Sequence, residues 1–219
     1  MENNLSDLRY RQLSLRETVI DALQFIGIKD YADFDLQQDY FNNPHRGHHD
    51  ARHLYRTMLA TALIARKINE PRKGLLAFCG AYIHDLAQRR DGEGEGHGPR
   101  AAHEKWDKFS SLWQKYELTP EECSQVRDAV CRHSGGDSDF QGDTVVQQIL
   151  HDADSLDRCR FRQNGRLNWD FLALPQLKVK NDSPSDILKA LIGETEAICG
   201  FTKFMPSFMP FKDFVCNIR

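Results

Sequence analysis

The chain has 219 residues, with 29 Lys and Arg against 32 Asp and Glu, for a net charge of −3. That length suits one domain able to bury most of its apolar surface without disulfides. The acidic balance argues against a dedicated nucleic-acid surface, and no run of ~20 apolar residues is present to cross a bilayer. Cys79, Cys123, Cys131, Cys159, Cys199 and Cys216 form no CxxC pair. They read as core residues of a reducing compartment. Residues 1–10 are polar and lack a signal-peptide core, so the expected location is the cytoplasm.

In chain order, Leu8, Leu15, Val19, Leu23 and Ile26 recur at helical intervals and predict a helix over 7–25, stopped by Gly27. A second helix is expected over 50–68, with Leu54, Met58, Ala62 and Ala65 on one stripe. Pro71 opens a third, running through Leu75, Leu76, Cys79, Ile83 and Leu86. Residues 91–99, DGEGEGHGP, read as a flexible loop or lid. Helix resumes over 99–116. Thr119-Pro120-Glu121-Glu122 supplies a capping Thr, a Pro at the first helical position and acids at the positive end of the dipole. That helix should end at Ser134-Gly135-Gly136, and another should cover 143–156. Residues 161–185 are less regular, and a last helix is expected from Ser183-Pro184 to Gly200. The tail FTKFMPSFMPF is broken by Pro206 and Pro210 and cannot be one helix. It is expected to pack as an extended strap or to serve a homodimer contact. Convincing strands are lacking, so the expectation is an all-α, single-domain helical bundle. In it, a helical segment 1–44 packs on a core of 45–160, followed by an irregular region, helix and tail over 161–219.

His84-Asp85, in GAYIHDLAQ, lies late in the third helix. Adjacent helical residues point about 100° apart, yet both can reach one ion beside the helix. The imidazole nitrogen and the carboxylate oxygen together suit several divalent ions. Taken alone, the dipeptide equally fits a polar helix end facing water. Ala77, Gly80 and Ala81 make a small-residue face before it, and His53 is followed by Thr57 and Ala60, also small. Two such faces would let packed helices clamp an ion, or pack closely around a satisfied core histidine. Asp154, in ILHDADSLDR, lies among Ile149, Leu150 and Leu156, where an acid is costly unless paired or metal-bound. Asp152 and Asp157 flank it, one or both expected in solvent. His133 closes a helix before glycines. His97 stands where the glycine-rich loop meets a helix start, whose free N–H groups suit an anion. Of the arginines near these residues, Arg56 and Arg158 are expected to face the pocket and take the substrate's phosphate.

The order His53, His84-Asp85, Asp154 resembles the H…HD…D signature of the HD-domain superfamily of metal-dependent phosphohydrolases, over roughly residues 45–160. HDARHLYRT resembles the first-histidine helix, AYIHDLA the central motif and HDADSLDR the last, where the Asp after Ala is the ligand. The resemblance implies a first metal held by His53, His84, Asp85 and Asp154. His97-Gly-Pro-Arg-Ala-Ala resembles a segment of two-metal members, and His133-Ser134-Gly135 resembles their His-His-Gly, with Ser134 replacing the second His. His97 and His133 are therefore assigned to a weaker second metal or to a phosphate. HDARH resembles the HNxxH segment of cyclic-nucleotide phosphodiesterases, with Asp50 for the Asn. That implies a proton-donating His49, against the alternative that His45, His48 and His49 merely crowd a polar helix start.

The function implied is hydrolysis of a phosphomonoester or phosphodiester, a nucleotide or related small metabolite, by water activated on a divalent metal. Asp85 and His49 are the catalytic candidates, and Mn, Fe, Ni, Co, Zn and Mg are all admissible ions. The expected partner is a small phosphorylated substrate, with neither nucleic acid nor membrane. Two alternatives stay open: a di-iron oxygenase of the same superfamily, and a non-catalytic nucleotide-sensing module. Trp169, Phe171, Phe204 and Phe208 are expected mostly in the core, with substrate choice or an interface as the other role.

Overall fold

The computed structural model describes residues 14–44, 49–91, 93–94, 96–133, 142–158, 171–178 and 184–219. The described residues are helical and contain no strand, so the fold is all-α. Helix α1 covers Leu15–Phe25. It starts at a capping box on Ser14: Glu17 N–H donates to Ser14 Oγ, while the Glu17 carboxylate accepts from Ser14 N–H. Positions 7 and 8 lie outside the described residues.

Helices α2 (Ala51–Ile68) and α3 (Pro71–Ile83) form the central pair. Between Ala51 and Ala65 only Arg52 escapes burial, and α3 is buried continuously from Gly74 to Ile83. A helix buried all round belongs in the middle of a bundle, and here α1, α6, α7 and α8 pack about these two. Asn69, at φ 59°, ends α2 in the left-handed conformation, and Pro71 then occupies the first position of α3. The pair packs closely at Gly74, where an added Cβ would overlap Ala65 Cβ. Gly80, nearer the His84 end, instead meets side chains of α6 and α7: Val126, Val130 and Leu150.

Helix α3 stops at Ile83, one turn short of the expected Leu86. Leu86 N–H turns to Ile83 O and Gln88 N–H to Asp85 O, while Leu86 O accepts from Asn42 N–H. Past the glycine-rich loop, the single helix expected over 99–116 is four pieces. These are α4 (His97–Arg100), a π-helical turn (Ala101–Lys105), a 3-10 turn (Trp106–Phe109) and α5 (Ser110–Lys115). Helix α6 (Pro120–Arg132) starts at a Thr119–Glu122 capping box, and α7 (Val145–Asp157) at a Thr144–Gln147 one. His133 caps the end of α6; Ser134, Gly135 and Gly136 lie outside the described residues.

Helix α8 (Asp186–Thr202) is not the last, because Pro210 caps a short α9 (Phe211–Cys216). The tail is thus no simple strap. Phe211, Phe214, Val215 and Ile218 are buried, and Phe211 meets Phe34, Tyr55 and Phe78 edge-on or tilted. The turn between α8 and α9 lies against the start of α2: Arg52 donates to Lys203 O and Met205 O, and Ser207 Oγ donates to Asp50. Phe208 packs edge-on against Phe41, but Phe204 is 85% exposed, contrary to a core role. Trp169 lies outside the described residues. No disulfide joins the described cysteines, and no described helix is long and apolar enough to cross a membrane.

Candidate metal centre

Helix ends build the site. Asp50 caps α2 by accepting from the N–H groups of Arg52 and His53, which sets His53 in the first turn. His84 and Asp85 occupy the turn at the end of α3. Asp154 lies in the last turn of α7, His97 opens α4 and His133 ends α6. His53, His84, Asp85, His97 and His133 are all buried, whereas the Asp154 side chain keeps 25% of its surface exposed.

Hydrogen bonds to the outer ring nitrogens fix the histidine tautomers. His84 Nδ1 faces Ala81 O at 2.7 Å, His133 Nδ1 faces Val130 O at 2.7 Å, and His97 Nδ1 faces the carbonyls of Glu93 and Gly94 at 3.1 and 3.0 Å. His53 Nδ1 faces Asp157 Oδ2 at 2.7 Å. Carbonyl and carboxylate oxygens only accept, so each Nδ1 carries a proton and each Nε2 points inward, where an unprotonated nitrogen presents its lone pair.

These lone pairs meet in two pairs, on opposite oxygens of one carboxylate. His53 Nε2 and His84 Nε2 are 3.2 Å apart, with Asp154 Oδ1 at 3.2 and 3.8 Å and Asp85 Oδ2 at 3.4 and 3.8 Å respectively. His97 Nε2 and His133 Nε2 are 3.1 Å apart, with Asp85 Oδ1 at 3.1 and 3.3 Å. Two unprotonated nitrogens that close repel unless a proton or a metal ion lies between them. Two ligand atoms bound tetrahedrally at about 2.1 Å stand about 3.4 Å apart, so the donors have the spacing a divalent ion needs. His53, His84 and Asp154 form one such group, and His84, Asp85 and His133 another.

The electrostatics agree with the donor set. Burial pushes His84 down to about 3, leaving it neutral and available as a ligand. Burial by itself would raise Asp85 and Asp154. The surrounding imidazoles, His84 foremost for Asp85 and His53 for Asp154, instead hold both carboxyls well below their usual range. Burial is the largest influence on His97 and opposes its charge, but the hydrogen bond and charge of Asp85, the Gly94 carbonyl and the charge of Asp154 together outweigh it and raise His97. At the rim, His49 Nδ1 lies 2.7 Å from Asp85 Oδ2, with 27% of its side chain exposed.

Of the residues singled out from the sequence, His53, His84, Asp85, Asp154, His97 and His133 are brought together, with His49 beside them. Arg56 is buried, and its Nε and Nη2 lie 2.6 and 3.2 Å from the two oxygens of Asp157, forming an ion pair behind His53. Arg158 is the part-exposed C-cap of α7. Asp152 and Asp157 are fully buried rather than solvated. Asp152 accepts from the N–H groups of Ala173 and Leu174, tying the segment after α7 to that helix. The importance of Asp157 was not read from the sequence. Its signal is position: three residues after Asp154 on one helix, it shares that residue's inward face.

Paired histidines and carboxylates at the helix ends form clusters that could hold a divalent metal ion. The HD domain family model matches residues 50–159, half of the chain, and the protein belongs to that family. HD domains bind divalent metals, and the superfamily consists mostly of metal-dependent phosphohydrolases. No curated protein and no solved structure matches the chain.

Proposed function

We propose that this chain is a metal-dependent phosphohydrolase of small cytoplasmic metabolites, acting on a phosphomonoester or phosphodiester, most simply a nucleotide. The observation that carries the reading is Asp85, whose two oxygens each face a pair of imidazole lone pairs. His53, His84, Asp85 and Asp154 would hold a first divalent ion. His97 and His133, with the other oxygen of Asp85, would hold a second. When bound, such ions lower the pKa of water and polarise a phosphoryl oxygen.

The protein's part is to bind, orient and move protons. Carbonyl-anchored imidazoles keep their Nε2 atoms aimed without reorganisation. Burial of the cluster limits competing water, while the more open Asp154 and His49 mark the side from which substrate enters. His49, held by Asp85 through Nδ1, is poised to carry a proton to the leaving oxygen. With Arg56 committed to Asp157, Arg158 is the remaining candidate from the sequence to meet a phosphate.

The test combines metal analysis of the purified protein with a phosphate-release screen on nucleotides and cyclic nucleotides in Mn, Co, Ni and Mg. Stoichiometric metal with hydrolysis, both lost in Asp85→Ala, is the expected outcome. Protein that contains no metal and hydrolyses nothing under any of these ions would end the proposal. The double set of donors around Asp85 also suits a di-iron oxygenase. Iron content with oxygen-dependent turnover, and no phosphate release, would favour that second reading.

A further inference from the structure

Three of the four buried histidines of the centre take their orientation from nearby backbone. His84 and His133 each donate to the carbonyl three residues back, and His97 donates to the loop just before it. His53 is the exception. Its Nδ1 donates to a carboxylate, Asp157, 104 residues away on α7. Behind that carboxylate stands Arg56, one turn along α2 from His53, with Nε on Oδ1 at 2.6 Å and Nη2 on Oδ2 at 3.2 Å.

The difference has chemical weight. An amide carbonyl accepts a proton's hydrogen bond but carries no charge to share. A carboxylate pulls the Nδ1 proton toward itself and leaves more electron density on the opposite nitrogen. Outer partners of this kind change metal affinity by about ten- to a hundredfold. A buried carboxylate can do this only while ionised, which requires a buried cation beside it. Arg56 supplies that charge through two hydrogen bonds and also fixes the plane of the carboxylate.

We propose that Asp157 and Arg56 are a positioning pair that holds His53 in its Nδ1–H form and strengthens its Nε2 as a donor, making the His53–His84–Asp85–Asp154 site the tighter of the two. The inference rests on the reading of this centre as a metal site. The competing view is that the pair only fastens α2 to α7.

The test is the double variant Arg56→Met/Asp157→Asn, which removes both charges at once and keeps an amide oxygen to accept from His53. Cobalt(II) binding is measured by competition with a chelator and by the visible d–d bands, alongside urea unfolding of the metal-free protein. The expected result is a tighter site weakened by about ten- to a hundredfold, with shifted d–d bands and the weaker site at its wild-type affinity. Wild-type affinity and spectrum at the tighter site, whatever the change in unfolding midpoint, overturn the proposal. Should the variant not fold, the wild type loaded with zinc decides by long-range ¹H–¹⁵N NMR. His53 must carry its proton on Nδ1, with that proton further downfield than those of His84, His97 and His133. A proton on Nε2, or shifts equal to the other three, overturns the pairing. A wild type that takes up neither cobalt nor zinc overturns the metal reading together with it, whereas an unaltered variant of a metal-binding wild type overturns the pair alone.

Discussion

Asp85 divides one carboxylate between two groups of imidazoles, with His53 and His84 toward Oδ2 and His97 and His133 toward Oδ1. Residues that share a partner do not contribute independently, which separates the expected effects of single substitutions. Asp85→Ala removes a donor from both sites. His97→Ala removes one from the second site only, so metal analysis should find a single ion retained; loss of all metal would show that the two sites are not separable. His49 touches Asp85 from the more exposed side of the cluster, where it groups with His53 and Asp85. His49→Gln should keep the metal while lowering the hydrolysis rate by about 10²–10⁴-fold, the range of a general acid. Parallel loss of metal and rate would make His49 a ligand instead.

At the level of elements, the centre depends on α2 and α3 lying at a set distance. The two helices pack closely at Gly74, where an added methyl would overlap Ala65 and come within 2.8 Å of Ile26 Cγ2. Neither neighbour is a long flexible side chain that can swing away. Gly74→Ala should therefore cost about 1–3 kcal/mol, the range for overpacking a close-packed contact. Urea denaturation of the two proteins checks it, and an unchanged midpoint would show that the helices can part without penalty. The small residues before His84 read from the sequence as a seat for another helix backbone. Gly80 instead receives side chains from α6 and α7, the helices that carry His133 and Asp154. The small face was legible, but which element fills it was not, because helical spacing reports a face and not its neighbour.

At the scale of the molecule, residues far apart in sequence close the bundle. Phe211, from the C-terminal α9, is fully buried against Phe34, Tyr55 and Phe78, and its N–H donates to Asp35 Oδ1 at 2.6 Å. Tyr55 lies on α2 just two residues after His53. Phe211→Ala should remove about 3–5 kcal/mol, as expected for a large aromatic lost from a core. Chemical denaturation measures this, and a loss within ordinary surface values of about 0.5 kcal/mol would mean that α9 is only laid on the fold.

The sequence by itself determined the helical class, the capped starts of α6 and α7 and the order of the His and Asp motifs, because caps and periodicity are local properties. It also marked His53, His84, Asp85 and Asp154 as residues to bring together, through a resemblance carried by motif order. Three things were left to the tertiary structure. Asp85 faces two histidine pairs, Arg56 pairs with Asp157, and the Pro-broken tail ends in a helix inserted in the core. Each depends on which partner a side chain meets across the bundle. An arginine beside a histidine has the same spacing in sequence whether it faces a substrate or a carboxylate on another helix. Only packing α7 against α2 put Asp157 within reach of both His53 and Arg56.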